Sequence, residues 1–244
     1  MNTDIRKTCD ELAEQGFLAV APDLFWRQEP GVDLSVTSEP DWQHGLRLYQ
    51  AYDRDAGARD VKDTANAVAK LSGCTGTVAV LGYCLGGLMT FLTAVRYGVD
   101  AAVVYHGGDT EKYLGEVDWL DAPLLMHLAE EDEFISKPAQ AEIKTALARK
   151  SKATVYSYPG QNHAFSRHNG HATMPRQQRS PIGGQTNFYT NNSGDLLSLP
   201  QPMNLRAATG PCSPTGPGDR CNPSVLTQNL FTERGNSLKR VRVF

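Results

Sequence analysis

Val78 to Leu81 run directly into Gly82-Tyr83-Cys84-Leu85-Gly86-Gly87, and an apolar stretch from Leu85 to Tyr97 follows without a break. A short apolar run reads as a buried strand, and a longer one at helical spacing as a helix. The chain must therefore turn from strand to helix within a few residues centred on a cysteine. Glycines are expected around such an apex for steric reasons. The central backbone is strained, and side chains two positions on either side would collide with the strand and the helix. The turn holds the sulfur at the C-terminal end of the strand, beside a helix N-terminus whose dipole favours thiolate. The Leu85 backbone N–H is placed to donate to a developing oxyanion. A buried cysteine in a Gly-rich turn is the plainer reading. Its position between strand and helix favours a nucleophile, with cysteine where such elbows usually carry serine.

The elbow sits in a chain of alternating periods. Ile5, Leu12 and Ala13 give an opening helix that Gly16 ends as a C-cap. Strands are expected at Phe17–Ala21, Thr77–Leu81, Ala101–Tyr105, Pro123–Leu128 and Ala153–Ser157. Helices are expected over roughly Asp53–Leu71, Leu85–Tyr97 and Pro138–Ala148, while residues 24–50, with Pro30, Gly31 and Pro40, read as a long connection. Apolar strands joined by helices predict a parallel sheet covered on both faces.

Composition breaks near residue 173. Residues 1–173 hold 16 Lys and Arg against 24 Asp and Glu, whereas residues 174–244 hold 8 against 3 and carry 8 of the 14 prolines. The mean hydropathy of −0.40 is low for a uniformly globular chain, and the apolar pieces of the second segment are too short and scattered for a buried face. The expected division is a folded unit over 1–173 and a disordered tail over 174–244. The net charge of −3 gives no reason to expect nucleic acid or an anionic membrane as partner, and the basic tail lacks a dense Lys/Arg block. No apolar run is long enough to span a bilayer, and the first residues read as an amphipathic helix rather than a signal peptide. Five cysteines (Cys9, Cys74, Cys84, Cys212 and Cys221) without framework spacing point to a reduced, cytoplasmic chain.

A thiol nucleophile needs a base, and the base an orienting carboxylate. Glu130-Glu131-Asp132-Glu133 leaves the end of a strand, where acids of open α/β sheets sit. Asp132 is preferred because the apolar Phe134-Ile135 after it can anchor the loop. His163, in the turn-rich run Pro159-Gly160-Gln161-Asn162-His163 after the last strand, is the expected base. His127 lies within a strand and reads as core, His168 and His171 border the tail, and His106 ends a strand and reads as a neighbour of the site. The order nucleophile, acid, histidine is that of α/β-hydrolases. Neither a metal nor a dinucleotide site is expected, since no Cys/His pair near the elbow has ligand spacing and the glycines lack the G-x-G-x-x-G order.

Over residues 1–173 the chain resembles the dienelactone hydrolase family (carboxymethylenebutenolidases). The resemblance is carried by Gly16-Phe17-Leu18-Ala19-Val20-Ala21-Pro22-Asp23-Leu24-Phe25, by Gly82-Tyr83-Cys84-Leu85-Gly86-Gly87, by Glu131-Asp132-Glu133-Phe134-Ile135 and by Tyr158-Pro159-Gly160-Gln161-Asn162-His163-Ala164-Phe165. The spacings, 48 residues from Cys84 to Asp132 and 31 from there to His163, are similar to the family's. The resemblance implies an α/β-hydrolase fold and a Cys84–His163–Asp132 triad that opens lactones or activated esters through an acyl-thiol intermediate. A small-molecule ester or lactone is the expected partner, with no cofactor and a monomeric chain. The resemblance also implies that Arg167 binds a substrate carboxylate. The family's second such arginine falls near Trp42, which leaves an anionic dienelactone unsupported as the substrate.

Against the family pattern the chain is expected to lack N-terminal strands, one of them central, between the strand at 17–21 and that at 77–81. The loop after that strand carries the family's second oxyanion donor and a glutamate that hydrogen-bonds the resting thiol, and neither position is filled. Neighbouring strands lie about 4.8 Å apart, so an empty place leaves ladder groups unpaired. An unstable, weakly active chain is the expectation, with the switch in composition resembling a shifted reading frame or mis-joined gene. The rival readings are a thiol amidase or peptidase, which would not explain the Asp132 and His163 motifs, and an inactive fragment or pseudoenzyme.

Overall fold

The computed structural model describes residues 2–35, 38–166 and 240–243. Helix α1 (Thr3–Glu14) opens on Asn2, whose side chain accepts the Ile5 N–H, and is followed by Gly16 at φ +86°. Strand β1 (Phe17–Val20) leads into helix α2 (Glu39–Gln50) and helix α3 (Arg54–Val68). Strand β2 (Val78–Tyr83), helix α4 (Leu85–Tyr97) and strand β3 (Ala101–Tyr105) form the centre. A 3₁₀ segment (Thr110–Trp119), strand β4 (Leu124–Ala129), helix α5 (Lys137–Leu147) and strand β5 (Ala153–Tyr158) complete this part.

The sheet runs β1, β6, β2, β3, β4, β5, every neighbouring pair parallel, where β6 is Arg240–Val243. Its two faces pack against helices. One buries Val80, Ala102, Val104, Leu124 and Met126 with residues of α3, α4 and α5, and the other buries Leu81, Val103 and Leu125 with Leu12 of α1. Helix α4 is buried along most of its length, including Leu88, Phe91 and Leu92. It is thus the least movable support for the elbow that precedes it. Among the described residues no helix is long and apolar enough to cross a membrane.

Two expectations are corrected. Residues 24–50 are not all connection, because Ser38 caps α2 by accepting the Asp41 N–H and Pro40 sits in the first turn. There proline costs no hydrogen bond and its fixed φ suits the helix. The place between β1 and β2 is not empty. Arg240–Val243 fills it, pairing residue for residue with Phe17–Val20 on one side and with Val78–Val80 from Val241 on the other. Four residues of the segment read as a disordered tail are therefore central strand. The alternating Arg-Val-Arg-Val sequence suits a strand, and four residues of ladder need no long apolar run. The ladder groups expected to lie unpaired along Phe17–Val20 and Val78–Val80 have partners. The rest of that segment, including Cys212 and Cys221, lies outside the described residues.

Candidate active site

Cys84 lies where β2 ends and α4 begins, at φ +52° and ψ −114°, a strained conformation for a non-glycine residue. Its N–H donates to Tyr105 O at 3.1 Å, and its carbonyl accepts the Leu88 N–H at 3.0 Å. Both sides of the apex are thereby fixed, to β3 and to the first turn of α4. Leu85, the first residue of α4, has no carbonyl within its own helix to accept its N–H. A Cβ on Gly82 would lie 2.0 Å from Gly86 O, and one on Gly87 would lie 2.8 Å from Tyr105 O. The expected need for glycine at Gly86 is overturned, since a Cβ there meets only Leu24 Cδ1 at 4.0 Å. The close approaches are made by Gly82 and Gly87.

The Asp132 loop follows β4. Its Oδ1 accepts the Phe134 N–H at 2.8 Å and the Ile135 N–H at 3.1 Å, which orients the carboxylate. Ile135 is fully buried and anchors the loop as expected, whereas Phe134 is exposed and does not. His163 follows β5. Its Nδ1 lies 2.9 Å from Asp132 Oδ1 and 2.8 Å from Oδ2, and its backbone N–H donates to Glu133 Oε2 at 3.1 Å. Glu133 therefore supports the histidine from the acidic run in which only Asp132 was singled out. Among the described residues Nε2, which is buried, has no hydrogen-bond partner. Burial depresses the imidazole pKa, but the Asp132 hydrogen bond and then the Cys84 interaction outweigh it and push the pKa up to about 9.

The other histidines separate by environment. His127 is stacked 4.3 Å from the Tyr105 ring, its Nδ1 is 2.7 Å from Tyr158 Oη, and burial pushes its pKa down to about 3. It is a neutral core residue. His106, buried at the end of β3 with φ +36°, packs its ring 4.3 Å from that of His163. Every non-glycine residue with positive φ among the described residues (Cys84, His106, Asp109 and Ala164) lies at an elbow or loop beyond the C-terminal ends of the strands. Strained positions gathered at the C-terminal end of the sheet make that end the candidate functional one.

A third cluster was missed by the sequence reading. Tyr49 Oη donates to Asp109 Oδ2 at 2.6 Å, Lys112 Nζ lies 2.6 Å from Asp109 Oδ1, and Arg54 reaches Asp109 Oδ2 at 3.3 Å while its guanidinium covers the Tyr49 ring at 5.0 Å. These residues come from α2, α3, the loop after β3 and the 3₁₀ segment, so no single local motif joins them. Arg167, the expected carboxylate ligand, lies outside the described residues, as do His168 and His171. Among the described residues no three His, Cys, Asp or Glu side chains are grouped to hold a metal ion.

A parallel sheet with a strained cysteine elbow, a loop aspartate and a loop histidine in that order defines an α/β-hydrolase. The dienelactone hydrolase family profile matches residues 1–181, and the chain belongs to that family. It is 32% identical over 194 residues to a putative carboxymethylenebutenolidase of Azospirillum brasilense, covering 80% of this chain and 84% of that one. It is 34% identical over 167 residues to the carboxymethylenebutenolidase of Pseudomonas putida, covering 68% and 71%. The putative dienelactone hydrolase structure from Klebsiella pneumoniae subsp. pneumoniae MGH 78578 shares the fold, with a TM-score of 0.65 and 22% identity over 77% of this chain and 81% of that one. Membership makes the chain one of a family of hydrolases.

Proposed function

We propose that the chain hydrolyses activated carboxylic esters or lactones, with Cys84 as nucleophile, His163 as proton carrier and Asp132 as its orienting anion. The observation that carries this reading is His163 itself. One ring nitrogen, Nδ1, is held by the buried Asp132 carboxylate, and Cys84 adds to the rise in the imidazole pKa. An imidazole whose pKa is raised to about 9 is protonated at neutral pH, which suits a thiolate–imidazolium resting pair. The Cys84 sulfur attacks the carbonyl carbon, and the carbonyl π electrons move to oxygen, where the Leu85 N–H and the N-terminus of α4 face the charge. Collapse expels the alkoxide, which takes the Nε2 proton, and leaves an acyl-thiol. The neutral imidazole then takes a proton from water, whose oxygen attacks the acyl carbon and releases Cys84.

The free thiols of Cys9, Cys74 and Cys84 are consistent with a reducing compartment such as the cytoplasm. The test is pre-steady-state hydrolysis of 4-nitrophenyl acetate followed by peptide mass analysis. A burst of 4-nitrophenolate with one acetyl group on the Cys84 peptide, absent in Cys84→Ala, is expected. An acetyl group elsewhere, or a burst that survives Cys84→Ala, refutes the assignment. A hydrolysable anilide in place of the ester separates this reading from an amidase.

A further inference from the structure

Helix α2 carries Trp42, Leu46 and Tyr49 at positions i, i+4 and i+7, which share one face. Trp42 is 47% exposed and Leu46 38%, an unusual amount of large apolar side chain for a surface helix. Both ends of the face meet the candidate site. At one end the Trp42 ring lies 6.1 Å from that of Phe134, itself 55% exposed, and the edge of Phe134 meets the His163 ring at 4.7 Å. At the other end Tyr49 is half-buried over the loop after β3, where a Cβ on Gly108 would lie 3.5 Å from Tyr49 Oη. Burial and then the hydrogen bond to Asp109 push the Tyr49 hydroxyl above its ordinary range. The strip thus runs from beside His163 to the loop that follows β3.

Its chemistry is apolar. Among the described residues, Arg54 and Lys112 at the Tyr49 end are engaged, since both bind Asp109 and Arg54 also donates to Tyr52 O. Folding does not require Trp42, Leu46 or Phe134 to be exposed, because Leu48 and Ile135 make the buried anchors of the same two elements. We infer that Trp42, Leu46 and Phe134 form a subsite for a flat, uncharged apolar group of the ester. The favoured substrates are then neutral aromatic esters rather than esters bearing a carboxylate. This rests on the catalytic reading of Cys84 and His163 given above.

The experiment compares three esters on the full chain: 2-naphthyl acetate, its 6-carboxylate analogue and S-methyl thioacetate. For the neutral naphthyl ester kcat/KM should exceed that for the carboxylate analogue about tenfold. Trp42→Ala and Phe134→Ala should each lower the naphthyl-to-thioacetate ratio of kcat/KM roughly three- to tenfold, chiefly through KM, the range of one lost aromatic contact. Trp42→Arg should shift preference towards the carboxylate analogue. Equal or better turnover of the carboxylate analogue by the unmodified chain, or a ratio unmoved in both alanine variants, overturns the inference alone. Failure of all three esters to acylate Cys84 overturns the catalytic reading and this inference with it.

Discussion

Replacing Gly82 by alanine places a methyl group against backbone that has nowhere to rotate. The added Cβ would lie 2.0 Å from Gly86 O, 2.2 Å from Gly86 C and 2.7 Å from Gly87 N. Ordinary non-bonded contact is at about 3.5 Å, so the end of β2 and the first turn of α4 must separate by roughly 1.5 Å. Neither side gives easily, because β2 is paired to β3 and β6 and α4 is buried along most of its length. Overpacking usually costs about 1–3 kcal/mol. A clash between two backbone segments in a full core belongs above that range, at about 4 kcal/mol or more, against a total stability of about 5–15 kcal/mol. Gly86→Ala is the control, because its Cβ meets only Leu24 Cδ1 at 4.0 Å and alanine is the better helix former, by up to about 1 kcal/mol. Urea unfolding followed by circular dichroism gives both values. The expected outcome is a separation of about 5 kcal/mol between the two variants, with the Gly82 substitution too unstable to purify at the extreme. Gly82→Ala within about 1 kcal/mol of the unmodified chain would refute the steric account of the elbow.

The His163 imidazole has a folded-state pKa of about 9 against an ordinary 6.5, so it binds its proton more tightly folded than unfolded. Its contribution to stability is therefore full below pH 6.5 and is lost as pH rises through about 9, which urea unfolding across that window checks. Titration of the His163 ring by NMR at or below pH 6.5 would contradict the pairing. Asp132→Asn keeps the shape of the acid but removes the charge that holds the imidazolium. It should lower kcat/KM by about a hundred- to ten-thousandfold, with circular dichroism unchanged. Removing residues 240–244 deletes β6, whose four residues pair with β1 and three of which pair with β2. Buried groups left without partners cost about 1–3 kcal/mol each, offset by roughly 1–2 kcal/mol of backbone entropy per released residue. A net loss of roughly 2–5 kcal/mol is expected on these scales, and an unchanged urea midpoint would show that β6 carries no load.

What could be read from the sequence was what neighbouring residues decide. The elbow is written in six consecutive residues, the Asp132 loop in one run after a strand and His163 in another. The parallel order of the strands then brings Asp132 and His163 together, since β4 and β5 are neighbours and end at the same edge. Two parts were not legible, for different reasons. Helix α2 was hidden by Pro40, which breaks helices in their interior but is harmless in the first turn after the Ser38 cap. With that helix went the face carrying Trp42, Leu46 and Tyr49, so the apolar wall of the site was invisible although each of its residues was in plain view. Strand β6 was hidden because pairing is a non-local property. Val241 and Val243 are too few to show a period, and what makes Arg240–Val243 a strand is the pair of open ladders on β1 and β2, more than 150 residues earlier in the chain. The same physics ties the two omissions to function. β6 pairs with β2, which carries the elbow, and α2 brings Trp42 beside Phe134, so the candidate reactive groups are local signals whose surroundings depend on distant ones.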